Sequence, residues 1–87
     1  MNIYLQNFIQ RLRFKGFTKN TISTYKSYLN AYLVYLDALQ IRPEDASWDI
    51  IRGFIDDIQR QRNLADPTVN LIISILQFFH IYILTIE

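Results

Sequence analysis

Phe17-Thr18-Lys19-Asn20-Thr21-Ile22-Ser23-Thr24-Tyr25-Lys26-Ser27-Tyr28-Leu29 decides how the chain reads. Gly16 stops the segment before it, and Thr18 stands where a helix N-cap belongs. From there Ile22, Tyr25, Leu29, Leu33 and Leu36 recur at steps of three and four, which places them on one side of a helix. Tyr32 and Leu39 fall at the margins of that side. The pattern predicts a helix to about Leu39. Its opposite side holds Lys19, Asn20, Ser23, Lys26, Ser27 and Asn30, all cationic or neutral. The first acid in the chain is Asp37. That polar side is suited to a negatively charged partner.

Working outward, the first helix is predicted from Asn2 to Lys15, with Ile3, Phe8, Ile9 and Leu12 inward and Leu5 at the edge. Arg11, Arg13 and Lys15 close it. They suit the negative end of the helix dipole or a phosphate group equally well. Ile41 to Ala46 is a connection that Pro43 keeps from being helical. Ser47 caps a third helix, Trp48 to about Gln61, whose Trp48, Ile51, Phe54, Ile55 and Ile58 face inward. Its outer side, Asp49, Arg52, Asp56, Asp57 and Arg60, is mixed in sign and reads as a solvated surface. After a loop from Arg62, Asp66 is expected as N-cap and Pro67 as the first residue of a fourth helix reaching Leu84. Val69, Ile73, Leu76, Phe79 and Ile83 form one stripe of it. Leu71, Ile72, Ile75, Phe78, Ile81 and Tyr82 make it apolar nearly all round, as in a central helix or half of an interface.

Composition sets the bounds. Eighty-seven residues, 51% of them hydrophobic, give one domain with one core. With no cysteine there are no disulfides and no thiolate zinc sites. Two glycines, two prolines and no alternating strands make the chain all-α. Nine Lys/Arg against eight Asp/Glu leave a net charge of +1, low for a dedicated nucleic-acid binder. The distribution matters more: Arg11, Arg13, Lys15, Lys19 and Lys26 occur with no acid among them, and acids gather from Asp37 to Asp57. No basic region followed by an apolar run marks a signal peptide. The apolar stretch from Leu71 to Ile86 falls short of the roughly 20 residues of a bilayer span. A cytoplasmic location and no membrane partner are expected.

Chemistry is sparse. His80 has no acid or histidine at the neighbouring helical positions and reads as a core-edge residue. Asp56 and Asp57 are adjacent, so on a helix they point about 100° apart and share no substrate. No phosphate-binding glycine loop, nucleophile elbow or metal spacing occurs. The expectation is a non-enzymatic domain with no cofactor and no metal.

Four stretches in order resemble the N-terminal core-binding, or SAM-like, domain of tyrosine recombinases and phage integrases. They are Phe8-Ile9-Gln10-Arg11-Leu12-Arg13-Phe14-Lys15-Gly16-Phe17, Thr18-Lys19-Asn20-Thr21-Ile22-Ser23-Thr24-Tyr25, Ser47-Trp48-Asp49-Ile50-Ile51-Arg52-Gly53-Phe54-Ile55, and Thr68-Val69-Asn70 leading to Leu76 and Phe79. The resemblance implies that residues 1–87 form one four-helix, SAM-like orthogonal bundle that clamps duplex DNA, with the catalytic domain absent from this chain. It implies DNA contact by Lys19, Asn20, Thr21, Ser23, Thr24, Lys26 and Ser27 on the second helix and by Thr68, Asn70, Ser74 and Gln77 on the fourth. Lysines would neutralise phosphates, and hydroxyls and amides would take phosphate oxygens or base edges. Leu71, Ile72, Gln77 and Ile81 stand where family members often carry arginines, which shifts the weight to the second helix. The alternative is a helical interaction module whose apolar fourth helix docks on a partner, a second copy or a recombinase catalytic domain.

Overall fold

Side-chain caps fix the starts of three helices. In the computed structural model, which describes residues 2–84, Asn2 Oδ1 accepts the Tyr4 N–H at 2.8 Å and opens α1 (Ile3–Phe14). Thr18 Oγ1 accepts the Thr21 N–H at 3.2 Å and opens α2 (Lys19–Ala38). Ser47 Oγ accepts the Ile50 N–H at 3.3 Å and opens α3 (Trp48–Arg62). α4 (Asp66–Phe79) differs from expectation. Its N-cap is Ala65, with no side-chain bond, and Asp66 is already helical. Proline is tolerated one position later than expected because the first-turn N–H groups have no helical partner anyway.

The first three helices end alike. The N–H groups of Phe17, Ile41 and Leu64 reach back to the carbonyls of Leu12, Leu36 and Gln59 at 3.1, 3.0 and 3.1 Å. In each case the residue before the donor is left-handed: Gly16 at φ 84°, Gln40 at φ 59° and Asn63 at φ 51°. This bond from past the helix end satisfies carbonyls that would otherwise lack a donor. Only the glycine announces it in the sequence. A short 3-10 turn at Pro43–Asp45 interrupts the α2–α3 connection, and Tyr4 Oη donates to Glu44 Oε2 at 2.6 Å, tying that connection to α1.

No strand occurs among the described residues, so the all-α expectation holds. α2 packs against both α1 and α4, and α4 also carries α3. Phe8, Leu12, Leu29, Tyr32, Leu36, Ile72, Ile75 and Phe79 are fully buried where these helices meet. Four residues sit differently from the sequence reading. Leu5 is buried and Ile3 is 60% exposed, because Leu5 lies about two turns before Leu12 and shares its side. Tyr32 is central, enclosed by Phe54 and Phe79. Trp48 is 56% exposed at the first position of α3, with the Arg52 guanidinium over its ring.

α4 also ends early. Its α-helical bonding stops at Phe79 and His80–Leu84 continue as a π-helical turn. The segment from Asp66 to Leu84 has 19 residues and contains an 18-residue stretch of mean hydropathy 1.6, long and apolar enough by length and composition alone to cross a bilayer. Here Ile72, Ile75, Leu76 and Phe79 are instead buried in the core of the bundle.

His80 Nε2 lies 3.0 Å from Tyr32 Oη. Burial pushes the phenol pKa up to about 12 and holds the imidazole below the ordinary histidine value. A neutral ring with its proton on Nδ1 would accept the phenol's hydrogen bond at Nε2. As pH falls the unfolded chain takes the histidine proton first, so this contribution to stability is complete above about pH 6.5 and is lost as pH drops through that value toward the folded-state pKa. The melting temperature should therefore fall between about pH 7.5 and about pH 5.5, and His80→Gln should flatten that fall. Parallel profiles for the two proteins would show that His80 does not contribute.

Candidate nucleic-acid interface

The Thr18 cap places the first turn of α2 at the surface. Lys19, Asn20, Ser23, Thr24, Lys26 and Ser27 are exposed and Thr21 is half-buried. Two of the hydroxyls are engaged locally: Thr18 Oγ1 donates to Thr21 Oγ1 at 3.0 Å, and Thr24 Oγ1 donates to the Asn20 carbonyl at 3.1 Å. Both bonds stay within the first turns of α2 and orient the threonines. Ser23, Lys26 and Ser27 line a shallow depression with Asn30 and with Asn2 and Leu5 from the start of α1.

The α4 set lies elsewhere. Asn70 and Ser74 are exposed and Thr68 is half-buried. Asn70, Ser74 and Gln77 fall on the side of α4 away from Ile72 and Phe79, by the helical phase. Gln77 edges an apolar groove between α3 and α4, formed by Trp48, Ile51, Ile55, Ile73, Leu76, His80 and Ile81. Lys26 and Gln77 thus belong to separate depressions, not to one cleft.

Among the described residues the ion pairs are Arg42 with Asp45 at 2.9 Å and Arg60 with Asp57 at 3.0 Å. Both are exposed, and pairs of that kind contribute little to stability. Arg11, Arg13, Lys15, Lys19 and Lys26 take part in neither, so among the described residues no acid forms an ion pair with them. Two long-range contacts are not readable in the sequence. The π turn sets the Tyr82 ring 4.8 Å from Lys15 Nζ and 5.5 Å from the Arg11 guanidinium carbon. The Arg62 guanidinium lies 5.9 Å over Tyr28, adding a cation to a flank of α2. No local spacing signals either, because each joins residues far apart in the chain.

The chemistry open to this surface is the neutralisation of anions by cations, supplemented by amide and hydroxyl hydrogen bonds. Among the described residues no three His, Asp or Glu side chains gather as metal ligands would.

Residues 4–87 match the family described as phage integrase, N-terminal SAM-like domain. No curated protein matches the chain, and no solved structure does. The match spans nearly every residue, and the family is the N-terminal part of integrases, distinct from their catalytic domain. Four helices without a strand agree with it.

The cap that presents Lys19 and Asn20 can be tested directly. Thr18→Ala should cost about 1 kcal/mol of stability and speed amide exchange over residues 19–22. Unchanged exchange there would mean that the α2 start is held by other contacts.

Proposed function

We propose that this chain, which belongs to the N-terminal SAM-like domain family of phage integrases, is the non-catalytic DNA-binding module of a tyrosine-type recombinase and grips duplex DNA mainly through α2. One observation carries the reading: the exposed face from Lys19 to Ser27 joins lysines outside both ion pairs to amide and hydroxyl groups on a rigid, capped helix. Lys19 and Lys26 neutralise phosphates, and Asn20, Ser23 and Ser27 take phosphate oxygens or base edges. Thr21 and Thr24 hold the first turns and lie within reach of the same backbone. The N–H groups at the start of α2 favour a phosphate there. Thr68, Asn70, Ser74 and Gln77 of α4 are secondary contacts that a duplex reaches only by spanning a second side of the bundle. A DNA partner implies work in the cytoplasm, and the role needs neither metal nor cofactor.

A second reading rests on the groove between α3 and α4. Trp48 and Ile81 at its edges are 56% and 59% exposed, and exposed apolar patches of roughly several hundred Å² commonly mark protein contacts. The groove is suited to a second copy of the chain or to a recombinase catalytic domain. Sedimentation at high concentration separates self-association from a monomer that only docks in trans.

Duplex binding should weaken as salt rises. Replacing Lys19 and Lys26 together by Ala should reduce the slope of log affinity against log salt by about 0.9 for each phosphate that is no longer neutralised, alike for all sequences. Absence of duplex binding at low salt, or equal binding at low and high salt, would rule out the phosphate-contact mechanism.

A further inference from the structure

Phe14, at the end of α1, is 86% exposed, more than any other large apolar residue described. Burying a phenylalanine ring typically stabilises a fold by about 1.5–3 kcal/mol, and the bundle leaves that gain unused. The ring's neighbours are cationic and polar. Arg11 precedes it by three residues and so shares its face of the helix, and Lys15 follows it. Phe14 and Arg11 line one depression with Asn7, Gln10, Tyr82 and Ile83, and among the described residues no acid lines it.

Tyr82 orders this patch. Its ring leans on Phe78 at 4.6 Å between centroids and attracts Lys15 and Arg11 at 4.8 and 5.5 Å. Cation–ring attraction of this kind restrains long side chains that would otherwise sample many rotamers. Two cations are thereby held close to the Phe14 ring, on which no described ring is stacked. Arg13 neither lines the depression nor lies against the Tyr82 ring, and so stands outside the arrangement.

We propose that the end of α1 is a second nucleic-acid site, distinct from the α2 face, in which Phe14 stacks on an unpaired base while Arg11 and Lys15 take the flanking phosphates. The choice of an unpaired base follows from the geometry of the ligands. In an intact duplex the faces of each base are already covered by its neighbours, so an exposed ring gains little from it. A single strand, a frayed end or an extruded nucleotide offers a bare face, and a cationic track beside an aromatic ring is the arrangement that binds such strands with little sequence preference. Asn7 and Gln10 supply amides at the edge of the same depression.

The test uses fluorescence anisotropy of the full chain at low salt with three probes: a dT oligonucleotide of about 12 nucleotides, within the usual range of single-strand site sizes, a duplex of equal length, and an oligoglutamate peptide. Phe14→Ala should weaken dT binding about tenfold, equivalent to about 1.4 kcal/mol, and leave duplex binding unchanged, while Phe14→Trp should retain dT binding. Lys19→Ala with Lys26→Ala should do the reverse. Circular dichroism melts check that each variant is folded, which the exposure of Phe14 favours. The proposal is overturned if wild type does not bind dT, if Phe14→Ala binds it as tightly as wild type, or if that variant loses dT and duplex affinity equally. Oligoglutamate binding as tight as dT binding would also overturn it and would assign the patch to an acidic protein segment. Failure of wild type to bind duplex, with dT binding intact, would instead count against the α2 reading alone.

Discussion

The Phe79 ring holds the bundle together. It meets Phe8 of α1 at 6.0 Å, Tyr4 of α1 at 6.2 Å and Tyr32 of α2 at 6.4 Å, all in edge-to-face geometry. Tyr32 extends the contact to Phe54 of α3 at 5.2 Å. All four helices are therefore joined through two fully buried aromatic residues. Edge-to-face pairs add about 0.5–1.5 kcal/mol beyond the area they bury. A chain of 87 residues without cysteine has no covalent cross-link to take their place.

That core determines what is left for the surface. α2 lies between α1 and α4, so its apolar side is consumed, and the side left to solvent runs from Lys19 to Ser27 and on through Asn30, Val34 and Asp37. α4 gives its inner side to the same core and its flank to α3, leaving an apolar groove instead of a basic one. Most of the acids lie in the α2–α3 connection, on α3 and at the end of α2, and two of them, Asp45 and Asp57, pair with Arg42 and Arg60. An almost neutral chain thus keeps the cations of α1 and of the start of α2 outside both ion pairs. Net charge hides this; position along the fold reveals it.

Much of the architecture is legible in the sequence because it is local. Thr18 and Ser47 cap helices through bonds to residues three positions on, and Gly16 ends α1 within one turn. Such signals survive in one dimension. The endings at Gln40 and Asn63 are not visible there, since neither residue demands a left-handed conformation as glycine does at a turn. Tyr32 reads as marginal because its phase lies off the main stripe, and only the approach of α3 and α4 encloses it. Ile3 and Trp48 read as inward from their phase, but both occupy the first position of a helix and are 60% and 56% exposed. Of the candidate site, the exposed α2 residues follow from helical phase. The placing of Gln77 on an apolar groove and the meeting of Tyr82 with Arg11 and Lys15 do not, because each depends on packing between distant segments.

The most direct measurement is a titration of the isotopically labelled chain with a short DNA duplex, followed by amide NMR shifts residue by residue. The expected result is that the largest changes fall between Thr18 and Ser27, diminish as salt is added, and leave the groove between α3 and α4 nearly untouched. Shifts concentrated on Trp48, Ile73 and Ile81, or none at any salt concentration, would contradict a DNA-gripping α2.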